Sequence, residues 1–340
     1  MRAVVYTRLG PPEVLQLQEV APPVPKDHQV LVKVLAASAN ALDYRRFEGL
    51  LHGENMSLLS RFMEGRVIKA VGKVLGADIA GRVEAVGASV TRFKPGDAVF
   101  GTAAGSVGGF AEYACASEKT LALKPANITF ESAAAVPVAA LTALQALRDH
   151  AQIKPGAKVL INGASGGVGT FAVQLAKAFG AEVTAVCSAR HLDMLPSIGA
   201  DHVLDYTQTD FTTSGQRYDL IIAVNGYHTL LAYRRALHPG GRCVVVGGAI
   251  PQVLQAMLLG PLLSRLGSQK IGFMGIASPN HEDLVLLGTL LQDGNIVPVI
   301  DRHYPLNAAA EAVRYLAAGH ARGKVVFHVA PDASQPGARP

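Results

Sequence analysis

The chain has 340 residues, too long for one ordinary core and long enough for two domains. Hydrophobic residues make up 49% and charged residues 17%, which provides a sizeable core and excludes global disorder. The net charge of +5 comes without a Lys/Arg run or a basic-aromatic stripe, so it does not argue for a nucleic-acid partner; it suits an anionic dinucleotide.

Met1-Arg-Ala-Val-Val-Tyr6 starts in a strand-like pattern with no signal-peptide signature. Residues 1–125 continue as short strands and turns. Gln29–Ala36 alternates loosely, Gly81–Val90 runs into a turn, Lys94-Pro-Gly-Asp97 is a turn, and Ala98–Phe100 and Gly108–Ala114 are further strands. This punctuation predicts a compact β-rich domain. Ser57–Val71 is a more basic, amphipathic insertion, open to three readings: a lid, an oligomer contact or a solvated helix.

From Phe130 the texture changes. Glu131–Arg148 is Ala/Leu-rich and helical except at Pro137. Then comes the stretch that carries most information, Lys158 to Lys177. Val159–Ile161 is a short apolar run suited to a buried parallel strand; Gly163, Gly166, Gly167 and Gly169 follow; Phe171, Leu175 and Ala178 recur at helical spacing. Strand, glycine turn and helix start make an anion site, with outward N–H groups and a helix dipole that favours a pyrophosphate. Val159–Ala176 is uncharged over a membrane-span length, but its four glycines fit the strand-turn-helix instead.

Glu182–Ser188 reads as the second strand of the same unit. An NAD site places Asp or Glu about 20 residues after the glycines to hold the ribose 2′-hydroxyl. Here the position holds Ser188, with Arg190 two residues on. No carboxylate repels a 2′-phosphate and Arg190 can pair with one, so the expected cofactor is NADPH. Arg190 as a solvated helix-start residue is the alternative.

Strands and helices keep alternating through His202–Asp205, Tyr218–Val224 and Arg242–Gly247, the pattern of a doubly wound parallel sheet in an α/β fold. Lys270–Gly275 is a further strand, His281–Gln292 and Ala308–Ala318 are helices, and Lys324–Val329 is a strand expected to return to the first domain. The expected division is 1–126 with 266–330, then 127–265, then a disordered tail over 331–340. Cys115, Cys187 and Cys243 are scattered, form no CxxC and lie mostly in predicted strands, which indicates packing in a reducing compartment and a cytoplasmic protein.

Several blocks in fixed order resemble the zinc-free quinone oxidoreductase branch of the medium-chain dehydrogenase/reductase superfamily. They are Ala37-Ser-Ala-Asn-Ala-Leu-Asp43, Leu75-Gly-Ala-Asp-Ile-Ala-Gly81, Lys94–Phe100, Leu141-Thr-Ala-Leu144, Asn162–Gly169, Gly199–Tyr206 and His320-Ala-Arg-Gly-Lys-Val-Val326. The resemblance implies a GroES-like β-rich domain and a Rossmann domain inserted before its last strands. The alcohol-dehydrogenase branch carries a zinc-binding Cys where this chain has Asn40, and His-Glu where it has Ala77-Asp78. Zinc needs about three N or S ligands, so no metal is expected.

The resemblance also implies roles. Asn40 and Thr142 lie beside the nicotinamide, and Tyr44 can donate to the substrate. Asp43 is either part of the site or the acidic half of a capping pair with Asn40, and the Thr142 hydroxyl is either functional or an ordinary helix hydroxyl. Gly163, Ala164, Ser165, Gly166, Gly167 and Val168 form the pyrophosphate loop. Ser188, Arg190 and Tyr206 meet the 2′-phosphate end. Asn225 follows the fourth strand, Phe273 borders the nicotinamide, and His320, Ala321 and Arg322 resemble a second phosphate contact. The function so implied is NADPH-dependent hydride transfer to a quinone or enone, with a homodimer as the expected assembly. The alternative is an NADPH-binding redox sensor or scaffold with little turnover.

Overall fold

The computed structural model describes residues 1–6, 8, 10–41, 43–44, 74–248 and 250–332. The Ser57–Val71 insertion and residues 333–340 of the expected tail lie outside them. The described elements run β1 (Arg2–Val5), β2 (Gln16–Glu19), β3 (Gln29–Ala39), β4 (Asp78–Val86), β5 (Ala98–Thr102), β6 (Tyr113–Ser117) and β7 (Leu121–Leu123). Helices α1 (Phe130–Ala134) and α2 (Pro137–Gln145) follow, then β8 (Lys158–Asn162), α3 (Gly167–Ala178), β9 (Glu182–Cys187), α4 (Met194–Ser197) and β10 (His202–Asp205). The remainder is β11 (Tyr218–Ala223), α5 (Leu230–Arg235), β12 (Leu237–Val245), α6 (Ile250–Arg265), β13 (Lys270–Phe273), α7 (His281–Gln292), β14 (Ile300–Pro305), α8 (Ala309–Ala317) and β15 (Lys324–His328).

Two compact units result. The first holds Met1–Val138, Pro279–Gln292 and the chain from Ile300 on; the second holds Ala139–Ser278 and Asp293–Val299. In the first unit a sheet runs β14-β15-β3-β4-β5-β7, with β6 also paired to β3. The long strand β3 explains this centre. Its first half alternates, with Val30, Val32 and Val34 turned inward, so one face meets water; from Leu35 to Ala39 every residue is buried. Phe110 and Phe327 pack at a tilt of 59° in this core, ring centroids 4.6 Å apart.

The second unit is a six-stranded sheet in the order β10-β9-β8-β11-β12-β13, parallel at every pairing. Numbered within the unit this is 3-2-1-4-5-6, the dinucleotide-binding order. Its strands are near-continuous apolar runs, as a sheet covered on both faces requires; Val159, Leu160, Ile161, Ile221 and Ile222 are all fully buried.

Three boundaries differ from the sequence expectation. Residues 127–138 join the first unit, and 266–278 join the second because β13 pairs with β12. Asp293–Val299 also join the second unit, whereas Pro279–Gln292 stay in the first as expected, with helix α7 packed on β7 and Gly288 against Phe100. The start of the expected tail is also ordered, since Asp332 forms an ion pair with Arg82 at 2.9 Å. Some elements lacked a sequence signal, β14 and α6 among them. Strand β14 is polar and mostly exposed at a sheet edge, and α6 contains Pro261. Among the described residues, no helix is long and apolar enough to cross a membrane.

Phe327 is fully buried in the first unit's core. Phe327→Ala is expected to lower the unfolding free energy by about 3–5 kcal/mol, read as a shifted midpoint in denaturant unfolding with an unchanged slope.

Candidate active site

In a parallel sheet all carboxyl ends lie at one edge, so Gly163, Ser188, Tyr206, Asn225 and Phe273, which end or follow β8, β9, β10, β11 and β13, gather there. At the switch point between β8 and β11, Gly163 has φ +86°, and a Cβ on it would lie 2.9 Å from Asn225 Cβ. Only glycine meets both demands. The N–H groups of Gly163 and Ala164 donate to Val186 O (3.2 and 3.0 Å), strapping the turn to β9. Gly169 is equally constrained, since a Cβ there would sit 2.2 Å from Gly163 O.

Gly166 differs. A Cβ would meet nothing closer than Gly163 O at 3.8 Å, so the space above it is open. Gly166 is also the N-cap of α3, and no side chain caps that helix start. Uncapped N–H groups and the positive dipole end therefore face open space, a built anion cradle that fits a dinucleotide pyrophosphate. Ser165, Gly167 and Val168 are half-buried along it, whereas Ala164 is fully buried and can contribute only its backbone.

Ser188 closes β9 and Arg190 is exposed in the following turn. Tyr206, 60% exposed, is tied to the same strand end by its N–H donating to Cys187 O (3.0 Å). The sequence reading passed over a neighbouring carboxylate, Asp205, which lies beside Cys187 in register. Its Oδ1 is committed to the N–H and hydroxyl of Thr207 at 2.9 and 2.8 Å. Phe273 is half-buried, packs on the second unit's core and lines a recess of ≈ 170 Å³ with Arg242 and Lys270. Thr142 is half-buried on α2. Burial pushes the Cys187 thiol up to about 11, helped by Asp205, and burial also raises Cys243, so neither is a thiolate nucleophile at neutral pH.

The remaining predicted residues belong to the first unit. Asn40 and Asp43 form a reciprocal capping turn: Asn40 N–H donates to Asp43 Oδ2 (2.7 Å), and Asp43 N–H donates to Asn40 O (2.9 Å). The Asp43 carboxylate, 2% exposed, thus has a structural duty. Tyr44 is half-buried and packs on the β-rich core. His320 and Arg322 are exposed, Ala321 packs on that core, and the Arg322 N–H already donates to Asp301 Oδ2 (2.9 Å).

Sequence reasoning missed three side chains around Asn40. Asp78 Oδ2 accepts from Ser38 Oγ (2.7 Å), Asn40 Nδ2 (2.8 Å) and Lys324 Nζ (3.1 Å), and its Oδ1 accepts from Val138 N–H (2.9 Å) in the first turn of α2. Lys324 Nζ also donates to Asn40 Oδ1 (2.7 Å) and Ala39 O (3.2 Å). All four side chains are buried at the adjoining ends of β3, β4 and β15. The available signal was a lysine opening the apolar strand Lys-Val-Val-Phe.

A parallel sheet in dinucleotide order with an uncapped glycine turn, in one chain with a mostly antiparallel β-rich unit, defines a nucleotide-dependent dehydrogenase or reductase. Residues 26–126 match the family model "Alcohol dehydrogenase GroES-like domain" and 198–327 match "Zinc-binding dehydrogenase". A 2-methylene-furan-3-one reductase from Solanum lycopersicum is 34% identical, covering 97% of this chain and 80% of that protein. A chloroplastic NADPH-dependent alkenal/one oxidoreductase from Arabidopsis thaliana is 32% identical over 97% and 80%. The structure of the quinone oxidoreductase from Coxiella burnetii superposes with a TM-score of 0.82 at 31% identity, over 97% and 99% of the two chains. The chain belongs to the quinone oxidoreductase branch of the medium-chain dehydrogenase/reductase superfamily.

The name of the second family model implies zinc, and the donor set here does not fit it. At the ligand positions stand Asn40, Ala77 and Asp78; Asn40 Oδ1 and Asp78 Oδ2 are both held by a lysine ammonium that would repel a cation. No group of three His, Cys, Asp or Glu among the described residues can hold a metal.

The two glycines separate fold from ligand. Gly169→Ala is expected to destabilise by about 1–3 kcal/mol or more through overpacking, whereas Gly166→Ala leaves the melting temperature unchanged and weakens dinucleotide binding. Thermal melts and fluorescence titration on both variants check this.

Proposed function

We propose that this chain is an NADPH-dependent, metal-independent reductase of quinones and enones. One observation carries the reading: an open, uncapped glycine cradle runs to a strand end bearing Ser188 and Arg190 instead of an acid, in a chain similar to enone and quinone reductases. NADPH, when bound, supplies the hydride. The cradle of α3 holds the pyrophosphate, and Arg190 pairs with the 2′-phosphate beside Ser188 and Tyr206.

Without a Lewis acid, the acceptor must already be electron-poor. A quinone or a conjugated carbonyl meets that condition because the incoming charge delocalises onto oxygen. What the protein must add is close positioning and a hydrogen-bond donor for that oxygen. Asn40 is the group suited to donate: its Nδ2 gives one proton to Asp78 and retains a second. Thr142 and Tyr44 are assigned to orientation of the ring and the acceptor, and water supplies the proton. Among the described residues strand β13 pairs only with β12, so its other edge suits pairing with a second copy in a homodimer. A cytoplasmic place of action belongs to the same proposal.

After exhaustive chelation, the purified protein is expected to oxidise NADPH with para-quinones and with small enones, followed by loss of NADPH absorbance. Activity only with added zinc and a primary alcohol would refute the proposal; tight NADPH binding with no turnover across acceptors would favour the sensor or scaffold.

Ser188→Asp combined with Arg190→Ala is expected to shift the preference for NADPH over NADH by about 10-fold toward NADH. Dissociation constants for both dinucleotides measure it, and unchanged relative affinities would place the 2′-phosphate elsewhere.

A further inference from the structure

Lys324 is 2% exposed, and the family blocks give it no chemical role. Its three ammonium protons have three acceptors, Asn40 Oδ1, Ala39 O and Asp78 Oδ2. A buried ion pair is weak evidence of stabilisation, because well-packed apolar residues in its place are often neutral or better. The pair therefore calls for another explanation, and its geometry offers one. Lysine can only donate and a carboxylate only accept, so the Asn40 amide has one permitted orientation: Oδ1 toward Lys324 and Nδ2 toward Asp78. Among the described residues, the second Nδ2 proton has no acceptor.

We infer that Lys324 is a positioning residue whose ammonium polarises the Asn40 carbonyl and so strengthens the remaining Asn40 N–H as a donor to the acceptor oxygen that gains charge. The inference rests on the assignment of Asn40 made under the proposed function. Charge-assisted and linked hydrogen bonds reinforce one another in a buried setting, and here the link is a single amide. The positions where the zinc branch holds Cys and Glu are thus joined by a fixed cation of the chain's own. It acts one bond removed from the substrate, through the amide, and no bond to oxygen forms on it.

Two variants test the inference. Lys324→Gln keeps N–H donors toward Asn40 and Asp78 and removes only the charge; Lys324→Met removes both. Lys324→Gln is expected to lower kcat for an enone by about 10-fold, below the roughly 100- to 1,000-fold loss from deleting an oxyanion donor outright. KM and the NADPH dissociation constant stay unchanged, while the melting temperature falls because the buried Asp78 carboxylate loses its cation. The loss is expected to be smaller for a para-quinone, whose product oxygen needs less support. Without turnover, the NADP⁺-loaded variant should bind para-nitrophenolate, a resident oxyanion, about 10-fold more weakly by its absorbance shift. A Lys324→Gln enzyme with wild-type kcat and wild-type phenolate affinity overturns the inference while leaving the proposed function intact. Equal losses for both acceptors together with wild-type phenolate affinity also overturn it, by making Lys324 structural. If the wild-type protein reduces no acceptor, the proposed function fails, and the inference fails with it.

Discussion

A charge removed from water must be met on every side, and that constraint organises the first unit around Asp78. Its carboxylate is fully buried and takes hydrogen bonds from Ser38, Asn40, Lys324 and the backbone of Val138. Removing any one partner leaves the others around an undercompensated ion. The arrangement thereby fixes the ends of β3, β4 and β15, the first turn of α2 and the orientation of the Asn40 amide together. The same contacts that define the strand ends also fix the amide to which the proposed function assigns the donor role.

The second unit obeys a different constraint, set by space. Gly163 and Gly169 are glycines because backbone or side-chain atoms occupy the place of a Cβ, and Gly166 is one although that place is open. Two glycines build the turn, and the third leaves open space above the helix start. The division explains why such motifs are dense in glycine: packing and access each require a missing side chain, at different positions.

The parts of this architecture that depend on neighbours in the chain were legible beforehand. Val159–Ile161, the glycine cluster and the helical spacing after it announced β8, the turn and α3. The α/β class and the quinone oxidoreductase branch followed from blocks that are local in sequence. What escaped was non-local. Lys324 looks like any lysine at a strand start until β15 is laid beside β3, and Asp43 divides between capping and chemistry only when its bond to the Asn40 N–H is seen. The 265/266 boundary failed for a related reason. Strand β13 has only four residues, and its membership of the second sheet is decided by pairing with β12 rather than by its own pattern.

The return of β15 to β3 has a consequence for biosynthesis. The lysine–carboxylate bridge closes over 246 positions of chain, and the backbone contact to Ala39 over 285. On the ribosome, the parallel sheet of the second unit has all its strands once Phe273 has emerged. The earlier-made half must wait with Asp78 lacking its cation until the last strand arrives. The first unit therefore reaches its full set of buried hydrogen bonds only when the last strand has been made, after every strand of the second unit's sheet.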